Sequence, residues 1–227
     1  MNYTFLLAIT LFMFSCGNKK VIQLPEIDHA EITEISDVSA TYLFYDETQP
    51  DSVSLNRKNL ISTTNWLVNV DKRLTLKQVI PHIQFLQEKK RNAGHKNPNA
   101  KNYFSCHDTS NNNLGFVEFT DVIYIDSLNS KIKNEKDSLN INTSIFFDSL
   151  KSISINEISD YIAVKRTINL NQLLNEYKGL DFYIYKDSIN ISFNKKMSFQ
   201  VYITIKKFIE SIKQEGVKVS NKELISN

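Results

Sequence analysis

The feature that most constrains the fold is a pair of capped helix starts, each preceded by a short strand-like run. Thr75 lies three residues before Gln78, and Asn169 lies three residues before Gln172. In a capping box the second residue reaches back to the first, so both spacings predict helix N-termini. Apolar residues follow each cap at helical spacing, namely Leu76, Val79, Ile80, Ile83 and Leu86, and then Leu170, Leu173, Leu174 and Tyr177. The chain is therefore predicted to pack amphipathic helices against strands, an α+β arrangement.

Strand-like runs surround the first of these helices. Tyr42–Tyr45 and Trp66–Val70 are rich in aromatic and β-branched residues and predict strands. Pro81 lies inside the helical pattern, so we expect a kink or a tightened first turn. Beyond the helix, Tyr103–Cys106 is a candidate strand, whereas Phe116–Ile125 is apolar enough to be either a strand or a helix.

The C-terminal region shows a clearer pattern of elements. Ile153 and Ile155 alternate with serines, as in a half-buried strand. Tyr161–Val164 predicts a second strand before the capped helix. After that helix, Phe182–Tyr185 and Ile189–Phe193 flank a polar turn, which is a signal for a β-hairpin.

A last helix and a closing strand follow. Ser198 is its candidate cap, and Gly216 is its candidate stop. Its apolar stripe consists of Val201, Ile205, Phe208 and Ile212. Val217–Val219 then predicts a short strand. Read from Tyr161, the element order is β-α-β-β-α-β, the order of a ferredoxin-like plait.

With the strand at Ile153 added, residues of about 150–219 also resemble, by element order, the periplasmic domain of the ExbD/TolR transport-energising family. Proteins of that family also have a membrane helix with an essential aspartate. This chain has neither, so the resemblance implies a related fold without the proton-coupled role. The predicted fold class is α+β, with antiparallel or mixed sheets, helices on one face and a ferredoxin-like or ExbD/TolR-like C-terminal half.

Two related halves are a further prediction. Val70–Ile80 resembles Val164–Leu174, because each has a strand end, a Lys-Arg pair, a cap and a Leu-x-Gln helix start. The alternative, that any junction between a strand and a capped helix looks like this, stays open. The predicted organisation is an N-terminal α+β half over 41–126, a polar linker or hairpin over 127–149, and a C-terminal α+β half over 150–227.

Residues 1–16 resemble the signal peptide of a bacterial lipoprotein. Phe5–Phe14 is an apolar run about half as long as the roughly 20 residues that a membrane-spanning helix needs. Ser15, a small residue, precedes Cys16, in a loose form of the lipoprotein box that is common in Bacteroidota. The resemblance implies export, removal of the signal peptide 1–15, and lipid, including palmitate, on Cys16. The alternatives are an ordinary signal peptide cut elsewhere and a buried N-terminal strand.

This resemblance also implies a location. The lipid on Cys16 would make the membrane a partner and anchor the protein in the cell envelope. Gly17–Lys20 contains no acidic cluster, which favours the periplasmic face of the outer membrane over the cell surface. Residues 16–40 are polar and acidic and include Pro25, so they are predicted to be a tether between the lipid and the folded part.

Composition excludes several other classes of function. The chain has 27 Lys and Arg against 25 Asp and Glu, so there is no domain-wide basic excess for binding nucleic acid. The sequence lacks the glycine-rich motifs that cradle phosphates. If Cys16 is lipidated, Cys106 is the only remaining thiol, and no intramolecular disulfide can form.

Cys106, His107 and Asp108 form the only cluster of reactive residue types. A thiolate beside an imidazole suits a nucleophile or a metal site, but neighbours on a strand point to opposite faces. We therefore interpret Cys106 as a buried structural residue. His29 and Glu31 have the spacing of a zinc deaminase signature, yet the required P-C-x-x-C is missing.

No catalytic residue, metal ligand or cofactor is predicted. The remaining candidates, for which no motif assigns a chemistry, are His82, His95, Asp46, Glu47 and Asp71, together with Tyr183 and Tyr185, which are either a ligand-stacking face or part of sheet packing. The favoured hypothesis is a non-enzymatic envelope lipoprotein that binds a protein or envelope component through a sheet edge or a helix face. The alternative is an enzyme whose site is assembled from dispersed residues.

Overall fold

The computed structural model describes residues 20–126, 142–158, 163–179 and 189–227. The strands of this part of the chain are β1 (Glu26–Ile27), β2 (Val38–Tyr45), β3 (Val53–Asn56), β4 (Asn65–Val70), β5 (Asn102–Asp108), β6 (Asn113–Glu118), β7 (Ile123–Asp126), β8 (Asn142–Ser149), β9 (Ser152–Ile158), β10 (Ala163–Ile168), β11 (Ile189–Asn194) and β12 (Val219–Ser226). Its helices are α1 (Leu76–Arg91), α2 (Leu170–Gly179) and α3 (Phe199–Gln214). The predictions for residues 1–15, Cys16, Tyr183 and Tyr185 lie outside the described residues.

The first sheet has the strand order β1-β5-β4-β2-β3, with β6 also paired to β5. β2, β4 and β5 are parallel neighbours, whereas β3 is antiparallel to β2 and β6 is antiparallel to β5. Helix α1 connects β4 to β5, as parallel strands require a crossover. Its apolar stripe from Leu76 to Leu86 is buried, as the sequence predicted.

The second sheet has the strand order β10-β9-β8-β11-β12-β7. β8, β11, β12 and β7 run parallel, and β9 is antiparallel to both β8 and β10. Helix α3 connects β11 to β12. β7 lies in the predicted N-terminal half, yet it pairs with β12, from Ile123 opposite Lys222 to Asp126 opposite Ile225. One strand from before the predicted boundary therefore completes the sheet that follows it.

The protein is thus a mixed α/β protein with two mixed sheets and, in the described ranges, three helices. The prediction of mixed sheets is confirmed. The ferredoxin-like or ExbD/TolR-like order of the C-terminal half is not confirmed. The first strand of the predicted hairpin, Phe182–Tyr185, lies outside the described residues, and its second strand forms β11, which pairs with β8 and β12.

Both predicted capping boxes are present. The carboxamide oxygen of Gln78 accepts the N–H of Thr75 at 2.8 Å. Asn169 and Gln172 exchange two such bonds, each 2.9 Å long. Helix α1 continues through Pro81, so this proline does not end it.

The last helix also begins and ends where the sequence predicts. Ser198 accepts the N–H of Val201 through its hydroxyl. Gly216 has φ +91°, a left-handed conformation, and its N–H bonds the carbonyl of Lys213. The N–H of Val217 reaches the carbonyl of Ile212, which completes a Schellman cap.

The predicted tether is corrected for residues 20–40. The N-terminal segment, residues 20–37, lies against the first sheet, and Val38 already begins β2. Ile27 is buried in the core, and the carbonyls of Pro25 and Ile32 accept the N–H groups of His107 and Phe116. Single aliphatic residues spaced along a polar stretch supply these contacts, which composition alone does not distinguish from a spacer.

The predicted polar linker over 127–149 is corrected at its C-terminal end. Residues 142–149 form β8, which lies between β9 and β11 in the middle of the second sheet. Ile145 and Phe147 are buried there. The sequence pattern did not reveal this strand, because polar residues flank it and only alternate positions of β8 face the core.

The starts of α1 and α3 meet in a reciprocal backbone contact. The N–H of Leu76 donates to the carbonyl of Met197 at 2.9 Å, and the N–H of Phe199 donates to the carbonyl of Leu74 at 2.7 Å. The same exchange links Lys77 to Lys195 and Gln200 to Lys72. Each bond has a counterpart in which both residues are shifted by 123 positions between the halves. Leu74 therefore corresponds to Met197, and Leu76 corresponds to Phe199.

The two sheets follow the same correspondence. β3-β2-β4-β5 and β9-β8-β11-β12 have the same order and the same relative strand directions. α1 and α3 each contain 16 residues. The counterpart of Val70–Ile80 is therefore Phe193–Ile203, not Val164–Leu174 as the sequence comparison suggested.

An aromatic cluster joins the two halves. Phe104 from the first sheet makes edge contacts with Phe199 and Tyr202 of α3, at centroid distances of 5.1 and 6.4 Å. Tyr202 in turn packs on Phe193 of the second sheet at 5.1 Å, and Phe193 stacks on Phe147. The described core therefore continues from one sheet to the other through α3.

Candidate functional site

The cluster Cys106-His107-Asp108 is separated by the fold. Cys106 is fully buried, and burial raises the pKa of its thiol far above the ordinary value. Asp108 accepts hydrogen bonds from the hydroxyl of Ser110 and from the N–H groups of Ala30 and Ser110, which lower the pKa of its carboxyl. The interpretation of Cys106 as a structural residue agrees with this burial, and Asp108 holds the N-terminal segment.

The other candidate residues either bind side chains of the protein or lie exposed on its surface. His82 lies 3.6 Å from Asp51 on the protein surface, and His29 and His95 are exposed. The carboxylate of Asp71 binds Arg73 at 2.8 Å. Burial raises the pKa of this carboxyl, but the hydrogen bonds from Arg73 and Gln23 together outweigh burial, so the pKa is lowered. Within the described ranges, no group of three His, Cys, Asp or Glu side chains could hold a metal ion.

The acids Asp46 and Glu47 bind different groups of the protein. Lys20 binds Asp46 at 2.7 Å, and this bond with that from Thr48 lowers the pKa of Asp46 to about 2. Glu47 instead accepts the hydroxyl of Tyr45 at 3.0 Å. Each carboxylate therefore stabilises local structure.

A prominent concave surface of the described residues is a groove between the halves, with a volume of about 1030 Å³. We call it the interhalf groove. Its walls are the C-terminal part of α1, the loop of residues 96–100 with Asn102, and the segment 120–124, and Lys213 and Asn221 close it from the second half. Half of the lining residues are amides, lysines or an arginine, and the apolar residues include Pro98, Ala100, Val122 and Ile123.

One wall of the interhalf groove is the outer edge of β7, the last strand of the second sheet. Gln84 and Gln87 lie three positions apart on α1, which places them on one helix face. The amide of Gln84 donates to the carbonyl of Tyr124 at 3.0 Å, and that of Gln87 donates to the carbonyl of Val122 at 2.9 Å. Side-chain amides therefore occupy the positions that a further strand would use.

The cations of the groove differ in their environment. The ammonium of Lys90 donates to the carbonyl of Lys101 and to the side chain of Asn102, and it lies over the Trp66 ring. Burial lowers the pKa of Lys90 to about 8. The other cations, which are exposed, are Arg91, Lys96 and Lys213, and the acids of the lining are Glu88 and Asp121.

A buried polar network lies behind the groove. The Tyr124 hydroxyl is 3.1 Å from that of Tyr202, and the latter donates to Glu223 at 2.7 Å. Lys206 donates to the other oxygen of the same carboxylate. Burial raises the pKa of both tyrosines well above the ordinary value, so neither ionises near neutral pH. The network has the partners that a folded core requires and contains no exposed nucleophile.

Comparison of the chain with protein-family models, with curated proteins and with solved structures finds no match. The class of the protein is therefore set by its own fold, a mixed α/β chain with two mixed sheets whose cores meet through α3. Among the described residues, no helix is long and apolar enough to cross a membrane.

Sequence reasoning missed the interhalf groove, because its walls come from segments far apart in the chain. One local signal was present: Gln84 and Gln87 place two amides on one face of an amphipathic helix. A second was Lys206, a charged residue inside the apolar pattern of α3, whose side chain is 3% exposed. Neither signal identifies its partner, since Tyr124 and Glu223 lie in other elements.

Proposed function

We propose that this protein is a non-enzymatic binding module that lipid on Cys16 holds in the cell envelope. The anchoring part of the proposal is supported by the lipoprotein-like residues 1–16. The binding part is supported by the interhalf groove. The groove is concave, as ligand sites are, and its walls contain side-chain amides and cations.

The observation that carries the proposal is the way the reactive side chains are used. In the described chain, Cys106 is inert in the core, and the buried carboxylates of Asp71, Asp108 and Glu223 bind other protein groups. A hydrolytic or transfer enzyme requires an acid, base or nucleophile within reach of a substrate cavity. The groove does contain two acids, Glu88 and Asp121, but they are outnumbered by cations, and Lys90 is bound by the carbonyl of Lys101 and by Asn102.

The anchor is tested by replacing Cys16 with serine. We expect Cys16→Ser to move the protein from the membrane fraction to the soluble periplasmic fraction and to abolish labelling by a fatty-acid probe. Asn18→Gln is the matched control, because it lies outside the lipoprotein box and keeps the thiol, so it should stay in the membrane fraction. Membrane retention of both variants, with no label in the unmodified protein, would disprove lipid anchoring.

The binding site is tested by site-specific photo-crosslinking in cells. A photoreactive residue at Lys96, in the groove wall, is compared with one at Lys58, which is also exposed but lies outside the groove. We expect a discrete adduct from position 96 and none from position 58. Equal adducts from both positions, or none from either, would contradict a binding role for the groove.

We also infer that the two halves descend from one duplicated unit. The inference is supported by the common strand order, by the equal helix lengths, and by the reciprocal bonds between Leu76 and Met197 and between Phe199 and Leu74. β10 and α2 are additions to the second unit under this proposal. Exchanging corresponding core residues between the halves, as described below for Lys206, tests the correspondence.

A further inference from the structure

We infer that the interhalf groove binds an extended acidic peptide segment of a partner protein, whose main chain pairs with the outer edge of β7. This inference rests on the proposed function, because it names the ligand of the binding module. It combines two independent observations, the state of the β7 edge and the charge of the groove.

The first observation concerns the main chain of β7. The carbonyls of Val122 and Tyr124 are two residues apart and point to the same side, where they accept the amides of Gln87 and Gln84. A strand presents alternate peptide groups to one edge, so an added strand supplies N–H donors at this same repeat. Peptides commonly bind by adding a strand to such an edge. A nucleic acid or a polysaccharide has no row of amide donors with this spacing.

The glutamine amides are replaceable partners. Each makes one neutral hydrogen bond to the edge, and a peptide N–H can replace such a bond with little net loss. Gln84 and Gln87 are also half-buried side chains at the groove wall, so they can turn toward solvent when a peptide takes their place. In the unliganded protein the glutamine amides therefore cover the β7 edge, and a peptide main chain can replace them there.

The second observation concerns charge. Arg91, Lys96 and Lys213 line the groove and form no ion pair with other described residues. The lining acids, Glu88 and Asp121, are fewer than the cations, which also include Lys90. The uncompensated positive charge favours acidic side chains on the ligand.

The shape of the groove agrees with a peptide. Its volume of about 1030 Å³ lies at the upper limit of the roughly 300–1,000 Å³ typical of small-molecule pockets. Ile123 is 48% exposed in its wall, an apolar contact beside the edge. Because side chains of a strand alternate, the matching peptide presents apolar residues on one face and acidic residues on the other.

The experiment measures binding of a fluorescein-labelled ten-residue peptide of alternating Glu and Val to the detergent-solubilised full-length protein. A Lys-Val peptide and a Glu-Val peptide with N-methylated alternate amides serve as controls. We expect saturable binding of the Glu-Val peptide, at least tenfold weaker binding of the Lys-Val peptide, and loss of binding on N-methylation. Equal binding of the N-methylated peptide, or no binding of the Glu-Val peptide, would overturn the inference.

Variants locate the site. The double variant Arg91→Glu with Lys96→Glu is expected to weaken binding of the Glu-Val peptide at least tenfold. Lys89→Glu, on the same exposed helix end but outside the groove, should change the affinity by less than twofold. Gln84→Ala with Gln87→Ala removes the competing amides, so binding should tighten, and circular dichroism verifies folding. Equal affinity in all three variants would place the peptide elsewhere and reject the inference. A persisting crosslink at position 96 without peptide binding would reject this ligand but not the binding module.

Discussion

The ammonium of Lys206 lies 2.5 Å from Oε1 of Glu223, and both side chains are at most 3% exposed. By the correspondence between the halves, Lys206 occupies the position of Ile83, and Tyr202 that of Val79. Glu223 of β12 pairs with Ile191 of β11, and Phe104 of β5 pairs with Val68 of β4. Because Ile191 corresponds to Val68, Glu223 corresponds to Phe104. The second half thus places a charged and hydroxylated network where the first half has only apolar side chains.

Removing one member of this buried pair is expected to destabilise the protein strongly. Lys206→Ile leaves the Glu223 carboxylate buried with the Tyr202 hydroxyl as its remaining partner, and breaking such pairs costs about 3–5 kcal/mol. Urea denaturation monitored by circular dichroism measures the free energy of unfolding. Lys77→Ile, an exposed change on α1, is the control and should cost less than about 0.5 kcal/mol.

The double variant Lys206→Ile with Glu223→Leu tests the correspondence itself. It restores an apolar pair like that of the first half, so we expect it to recover most of the lost stability. A double variant no more stable than Lys206→Ile would show that the site is not equivalent to the Ile83 position.

The same network shows where prediction from sequence reaches its limit. Thr75, Asn169 and Ser198 were predictable as caps, because a cap depends on residues three positions away. The stripes of α1 and α3 were predictable for the same reason. The pairing of Tyr124 with Tyr202 depends on β7 joining the second sheet, which is a long-range choice that no local pattern contains.

The N-terminal segment illustrates a different limit. Ile27 and Ile32 are isolated aliphatic residues among acids, a pattern shared by spacers and by segments that add to a sheet edge. Their carbonyls accept the N–H groups of Thr109 and Phe116, which belong to segments far away in the sequence. The interhalf groove was not predictable for a similar reason, because the hydrogen bonds of the α1 amides depend on where β7 lies.

Glu210 is expected to make stability depend on pH. Burial raises the pKa of its carboxyl from 4.5 to about 7, and the charged groups around it are Lys206, Glu31, Lys213, Glu118 and Lys207. Between pH 4.5 and 7 the folded state therefore binds more protons at this site than the unfolded state. The contribution of Glu210 to the free energy of unfolding falls as the pH rises through this window and stays low above it.

Glu210→Gln removes this titration. Relative to the unmodified protein, we expect the variant to gain on the order of 1–2 kcal/mol above pH 7, allowing for partial exposure, and little at pH 4.5. Urea denaturation at several pH values measures the difference. Glu215→Gln, at an exposed position after the same helix, should leave the pH profile unchanged. A Glu210→Gln profile parallel to that of the unmodified protein would contradict the assignment.

Cys106 should be unreactive in the folded protein. Burial both blocks access and raises the pKa of the thiol, so little thiolate exists at pH 8. In Cys16→Ser, where Cys106 is the only thiol, we expect reaction with a thiol reagent to be at least a hundredfold slower than in denaturant. Adding Lys58→Cys gives an exposed thiol as the positive control. Fast labelling of Cys106 in native buffer would reveal an accessible thiol and reopen a redox or nucleophilic role.

Gly115 controls the docking of the N-terminal segment. A Cβ at this position would collide with the Ala30 Cβ and lie 2.8 Å from Cδ1 of Ile27. We therefore expect Gly115→Ala to cost about 1–3 kcal/mol by overpacking. Hydrogen exchange should locate the loss at the N–H groups of His107 and Phe116, which bond the segment.

Two companion variants separate a steric effect from a general one. Gly94→Ala is the matched control, because a Cβ there meets nothing within 4 Å, and it should leave exchange unchanged. Gly115→Ala with Ala30→Gly removes the closest collision and should restore most of the protection at His107 and Phe116. If Gly115→Ala leaves these two amides as protected as before, the segment does not depend on this contact. A uniform loss of protection across β4 and β5 would instead show that the segment and the first sheet unfold as one unit.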